Sequence, residues 1–256
     1  MHLDVVELRR FYYTTDLGRM VQRVLRARLR ALWPDIHGQT LVGFGFAAPF
    51  LRPFMEESAR TLCLMPAQQG VCPWPVDGQN ATALVEETLW PVPSGFADRL
   101  IVAHGLETCE RPAALFDEIW RVLAPGGKAV FLVPNRAGIW ARRDATPFGY
   151  GRPYSIGQLE KTLSANKFAA ERRAAALYMP PSHKRFWLRV APAFERLGQR
   201  IDAQRFAGVA MVEATKLVYI APQSGAKVAA REPLRVLDRL RPKPAAGHGA
   251  SRELHR

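Results

Sequence analysis

Leu41-Val42-Gly43-Phe44-Gly45-Phe46-Ala47-Ala48-Pro49-Phe50-Leu51 runs from a short apolar stretch through a Gly-x-Gly turn into residues at helical spacing. The pattern predicts strand, tight turn, helix. Glycines at 43 and 45 accept backbone angles that side chains resist, and they let a ligand approach the main chain. The first N–H groups of a following helix favour a polar or anionic ligand portion. Two glycines alone are a weak signature, because the third small position of Gly-x-Gly-x-x-Gly falls at Ala48. Taken alone, the stretch reads equally well as a close-packed turn without a ligand.

Working outward, apolar runs at 60–65, 98–104 and 128–134 read as buried strands, and Leu84-Val85 as a short one. Residues 112–123 place Leu115, Phe116, Ile119 and Val122 on one helical side, and Pro125-Gly126-Gly127 stops them. Ser155 and Gln158 form a capping box for a helix reaching about Ala165. Strand-like material follows at 168–179, a helix at 185–200 and a last strand at 207–220. Upstream, residues 17–32 form a strongly amphipathic helix, with Asp16 as its expected N-cap and Gly18 weakening its first turn. The aromatic run Phe11-Tyr12-Tyr13 before it is suited to close over a ligand, or to serve as an ordinary apolar staple. Strands alternating with helices from 40 to 165 imply an α/β domain with a parallel sheet. Ligands in such sheets bind beyond the carboxyl ends of the strands at a switch point. That brings residues 43–48, 65–69 and 102–107 together.

Composition narrows the setting. No apolar run has transmembrane length, which implies no membrane partner, and the start lacks an export signal, which implies a cytoplasmic protein. Three cysteines without Cys-x-x-Cys spacing argue against a disulfide framework. The histidines and cysteines are scattered, so no metal site is expected. There are 36 Lys and Arg against 23 Asp and Glu, a net charge of +13. The ends carry most of it. The expected organisation is an N-terminal helical extension or lid at 1–37, an α/β domain at 38–221 and a basic, disordered tail at 222–256.

The segment Asp98 to Pro134 resembles the later part of a class I S-adenosylmethionine-dependent methyltransferase of the type 11 group. Val92-Pro93-Ser94-Gly95-Phe96-Ala97-Asp98 is similar to the family's entry into its fourth strand, with one extra residue. His104-Gly105-Leu106-Glu107 resembles the segment after that strand, and Arg121-Val122-Leu123-Ala124-Pro125-Gly126-Gly127 the family's Arg-x-Leu-x-Pro-Gly-Gly turn. The resemblance implies a Rossmann-like methyltransferase fold: a mostly parallel sheet with an antiparallel last strand and helices on both faces. It also implies S-adenosylmethionine as cofactor. Gly43, Gly45, Phe46 and Ala47 would lie beside its methionine end, Glu86 at the adenine amine, and His104 and Leu106 along cofactor and substrate. The acids the family places before the glycine turn and after the second strand are replaced by Leu41 and by Met65-Pro66-Ala67-Gln68-Gln69. Gln68 or Gln69 is left to accept from the ribose, more weakly than a carboxylate does.

For the substrate, Tyr13 and the loop residues Tyr150, Arg152 and Tyr154 are the candidates. His104 is a possible general base, although a histidine at a strand end is more often structural, and Glu107 a possible cap of the next helix. The leading reading is a methyltransferase acting on a small-molecule or protein acceptor. A second is a methyltransferase-like pseudoenzyme that binds a protein partner through its first helix or tail. A third is a nucleic-acid-binding or modifying protein that uses its basic ends.

Overall fold

The computed structural model describes residues 3–200 and 204–218. The basic tail expected from 222 onward and the last two residues of the expected final strand lie outside them. Residues 1–218 group as one compact unit.

Seven strands form one sheet: β1 (Thr40–Gly45), β2 (Arg60–Pro66), β3 (Thr82–Val85), β4 (Ala97–Ala103), β5 (Leu123–Pro134), β6 (Phe168–Ala176) and β7 (Val209–Lys216). Their order is β3-β2-β1-β4-β5-β7-β6. Only β7 runs antiparallel, to both β5 and β6. From β1 the chain moves outward through β2 and β3, then returns to pair β4 on the other side of β1. The switch point therefore lies between the carboxyl ends of β1 and β4. This is the Rossmann-like methyltransferase fold expected from the sequence.

Alternate strand residues feed two cores, as the two-residue period of a strand requires. Leu41, Met65, Ile101, Val130 and Met211 belong to one. Val42, Phe44, Leu64, Leu100 and Phe131 belong to the other, with helices α4 (Pro112–Val122) and α5 (Ile156–Ala165). The first core is covered by α1 (Val5–Arg9), a π-helical turn (Arg10–Thr14) and α2 (Asp16–Leu32). From α2 come Leu17, Met20, Val21, Leu25, Leu29 and Leu32, all buried. Each fully buried leucine contributes roughly 1.5–3 kcal/mol of burial.

Local details differ from expectation for identifiable reasons. The N-cap of α2 is Thr15, whose hydroxyl accepts from the Gly18 N–H at 2.9 Å, while Asp16 instead pairs with Arg19 at 2.6 Å. Gly18 is a packing residue: a Cβ there would stand 1.9 Å from the Phe11 carbonyl oxygen. The helix after the glycine turn is only α3 (Ala48–Leu51), followed by a 3₁₀ turn at Arg52–Phe54, because Pro53 has no N–H with which to continue the helical ladder. Strand β5 begins at Leu123 and carries the Pro-Gly-Gly turn as an irregularity, with Gly126 at φ +75°. The capping box of α5 forms in both directions.

One polar group is built into this packing. Glu213 on β7 is fully buried and accepts from Trp33 Nε1 at 2.7 Å and from Arg172 at 3.0 and 2.6 Å, with Lys128 Nζ at 3.4 Å. Trp33 closes α2, so the N-terminal helix is hydrogen-bonded to the sheet.

Candidate functional site

The crevice at the switch point is built from the ends of β1, β2 and β4. Gly45 takes φ +79°, and a Cβ there would lie 2.3 Å from the Ala103 carbonyl oxygen. The turn is thus demanded by the close approach of β1 to β4. His104 follows β4 at φ +53°, a left-handed conformation uncommon outside glycine and worth attention where side chains converge.

Tyr12, from the π-helical turn, reaches into this crevice. Its phenol oxygen lies 2.6 Å from His104 Nε2. Its ring stacks on Phe46 at 5.9 Å and meets Phe50 edge-on at 5.5 Å. Phe148 from the long loop flanks the His104 ring at 5.0 Å and is backed by Trp140. Gln69 donates its amide to the His104 carbonyl. On the other ring nitrogen, Nδ1 stands 3.2 Å from Glu107 Oε1. The alignment leaves both Glu107 oxygens buried without a hydrogen bond. Burial, and then the Glu107 charge, raises the Tyr12 phenol well above its ordinary range. Tyr12 is therefore a neutral donor, which places the imidazole proton on Nδ1, facing Glu107. Phenol, imidazole and carboxylate thus lie next to one another in the crevice.

The expected site residues fall into groups. Gly43, Gly45, Phe46, Ala47 and His104 lie around the crevice, whereas Leu106 packs into the core on the other face of the sheet; the last three of the five and Leu106 are each at most 3 % exposed. Gln68 is exposed, whereas Gln69 turns inward. Glu86 is exposed as well, and its neighbour Glu87 is the buried acid, accepting from the Glu110 N–H at 3.2 Å. Tyr13 lines a cleft of 290 Å³ with Arg9, Arg26, Arg52, Phe46 and Trp74. Tyr150 lines another, of 370 Å³, with Arg10, Phe11 and Thr146. Arg152 is exposed, and Tyr154 bridges its backbone to Asn135. Glu107 does not cap α4, whose N-cap is Arg111. Tyr12 drew notice only as part of an aromatic run, and the inward turn of Glu107 and Gln69 had no signal in the sequence.

The crevice expected to hold the cofactor is closed in this form. The methionine end is filled by Tyr12 against Phe46 and His104, and the rim residues have almost no accessible surface. The buried Glu107 carboxylate faces His104 Nδ1 at 3.2 Å and makes no aligned hydrogen bond.

Chemistry elsewhere is sparse among the described residues. Burial pushes the Cys63 and Cys109 thiols up to about 12, which leaves them neutral. Asp35, His37 and Glu57 gather on the surface, where no metal site was expected, and Arg30 already holds Glu57 at 2.5 Å.

Comparison with known proteins agrees with this geometry. Residues 53–131 match the family model described as a methyltransferase domain. No curated protein matches the sequence. A Thermotoga maritima methyltransferase, described as a possible histamine N-methyltransferase, superposes with a TM-score of 0.58 at 13 % identity, over 83 % of this chain and 96 % of that one. A putative methyltransferase from Haloferax volcanii, solved with the Trm112 activator, gives 0.54 at 14 %, over 84 % and 98 %. The [4+2]-cyclase SpnF gives 0.54 at 15 %, over 85 % and 100 %, so the shared fold does not fix one reaction. The sheet order, the switch-point crevice and these superpositions show that the chain has the Rossmann-like methyltransferase fold, with residues 53–131 similar to a methyltransferase domain.

Proposed function

We propose that this protein is an S-adenosylmethionine-dependent methyltransferase whose N-terminal segment closes the cofactor crevice in the form described. The observation that carries the reading is the Tyr12 phenol held at His104, whose other ring nitrogen faces the buried Glu107 at 3.2 Å. When bound, S-adenosylmethionine supplies a methyl group on a sulfonium, which is already a strong electrophile. The protein's own part is alignment, exclusion of water and proton removal. His104 Nε2 is the base that takes the acceptor's proton, and Glu107 holds the Nδ1–H tautomer. The Tyr12 phenol marks where an acceptor hydroxyl stands. Displacing Tyr12 opens the crevice, and Phe148 with Trp140 keeps water from its far side.

The acceptor is a small molecule or a macromolecule. The Haloferax relative was solved with an activator protein. By analogy, a protein partner that engages the N-terminal segment is one way to release Tyr12.

Calorimetry with S-adenosylmethionine tests the reading on the native chain and on Tyr12→Ala. Binding that strengthens in the variant supports a crevice closed by Tyr12. Absence of binding to both proteins at millimolar cofactor rejects the enzyme reading and leaves a methyltransferase-fold scaffold.

A further inference from the structure

We propose that the outer face of α6 (Arg185–Arg200) docks on an anionic lipid bilayer. This helix turns Ala191, Glu195 and Gly198 to the protein. Its opposite side carries Phe186, Val190, Phe194 and Leu197, one stripe at helical spacing. Phe186 is 65 % and Leu197 56 % exposed, and Phe206 just beyond the helix is 73 % exposed. Single exposed apolar residues are ordinary, but a continuous aromatic stripe on a helix is a contact surface.

Charge decides the partner. The one acid in α6 is Glu195, which is buried and accepts from the Tyr178 N–H at 2.8 Å. The outward side therefore has no negative charge, and Arg185, Arg189, Arg196 and Arg200 are exposed on the helix. Beside it, α2 and α6 enclose a cleft of 680 Å³ whose walls carry Arg19, Arg23, Arg26, Arg185 and Arg189 against a single acid, Asp16, which is paired with Arg19. Among the described residues no ion pair holds Arg23, Arg185 or Arg189. The cleft shares Arg23, Leu188 and Arg189 with a second groove of 600 Å³, where Met20, Val24, Ala27 and Pro192 supply apolar walls.

These parts match a phospholipid surface piece by piece. The arginine cleft takes a phosphate headgroup, the adjoining groove takes the start of a chain, and the stripe enters the interface. Interfacial helices bind by this combination of apolar area and attraction to anionic lipid. A single-stranded nucleic acid would use the arginines and stack on Phe186, but it gains nothing from the aliphatic Val190 and Leu197. No helix among the described residues is long and apolar enough to cross a membrane, so the contact is peripheral. The absence of a spanning segment speaks only to crossing. The inference is independent of the methyl-transfer reading.

Co-sedimentation of the full chain with vesicles tests it, using phosphatidylcholine alone or mixed with phosphatidylglycerol. Binding to the anionic vesicles is expected, about tenfold or more above phosphatidylcholine. The pairs Phe186→Ser with Leu197→Ser, and Arg185→Glu with Arg189→Glu, should each weaken it about tenfold. All four side chains are exposed, so circular dichroism should stay unchanged, and the tail is common to every variant. Absence of vesicle binding at low salt overturns the proposal. So does binding that survives loss of Phe186 and Leu197 and is abolished by a competing RNA oligonucleotide, which would make the arginine cleft a nucleic-acid site.

Discussion

The Tyr12 phenol and the His104 imidazole, 92 residues apart in the chain, meet at 2.6 Å in the crevice where the sheet reverses its order. Ring and hydroxyl do different things there, and substitutions separate them. Tyr12→Phe keeps the ring on Phe46 and removes the bond, leaving His104 Nε2 without its donor. Stability should fall by about 1–2 kcal/mol in denaturant unfolding, with cofactor affinity little changed. Tyr12→Ala empties the crevice. It should cost about 3 kcal/mol and raise affinity for S-adenosylmethionine about tenfold by calorimetry.

Glu107 is a buried carboxylate with both oxygens lacking a hydrogen bond. A group kept for stability would not be left so. Glu107→Gln should therefore change the unfolding free energy by less than about 1 kcal/mol. Turnover on an acceptor should fall roughly ten- to a hundredfold, because the His104 tautomer is no longer held. A loss of several kcal/mol with unchanged turnover would make Glu107 a structural partner of His104.

The pair Glu118 and Arg121 predicts a pH dependence. Two hydrogen bonds from Arg121, at 2.8 and 2.7 Å, hold the Glu118 carboxyl below its ordinary range; burial opposes them and the Trp90 N–H reinforces them. A depressed folded value gives stability that is fully present above the unfolded value, about 4.3, and lost as pH falls through the folded one. Glu171 acts in the same direction, held down first by Lys128, while burial raises the Glu195 carboxyl and opposes them. The difference between the native chain and Glu118→Gln isolates the pair. Melting temperature followed from pH 6 to about pH 3 should fall less steeply in the variant.

Glu213 collects the indole of Trp33, the guanidinium of Arg172 and the ammonium of Lys128. Removing its carboxylate strands these donors. Glu213→Ala should cost about 3–5 kcal/mol in denaturant unfolding, whereas Trp33→Phe, which loses one bond and keeps most of the ring, should cost about 1–3 kcal/mol.

Much of this molecule was legible in its residues. Gly43 and Gly45 after an apolar run, the Arg121 to Gly127 turn and the Ser155–Gln158 box are local signals that local physics honours. They gave the sheet and the place of the crevice. The occupant of that crevice was not legible, because Tyr12 reaches it only through tertiary packing and its neighbours Phe11 and Tyr13 look alike in sequence. The choice of Gln69 over Gln68, and of Glu87 over Glu86, depends on one residue of rotation at a strand end. For α6, apolar residues occur on both sides of the helix, so its period alone did not reveal which side the protein covers.

The bond between Trp33 and Glu213 spans 180 residues. During synthesis α2 leaves the ribosome long before β7 exists, so its indole N–H has no acceptor until nearly the whole domain has been made. Contacts of such sequence separation are slow to form. Until they do, the amphipathic first helix keeps its apolar side uncovered and open to chaperones. A chain shortened to begin at Gly38 would lack both that helix and the donor that Glu213 awaits, and should be recovered insoluble rather than as a smaller working enzyme.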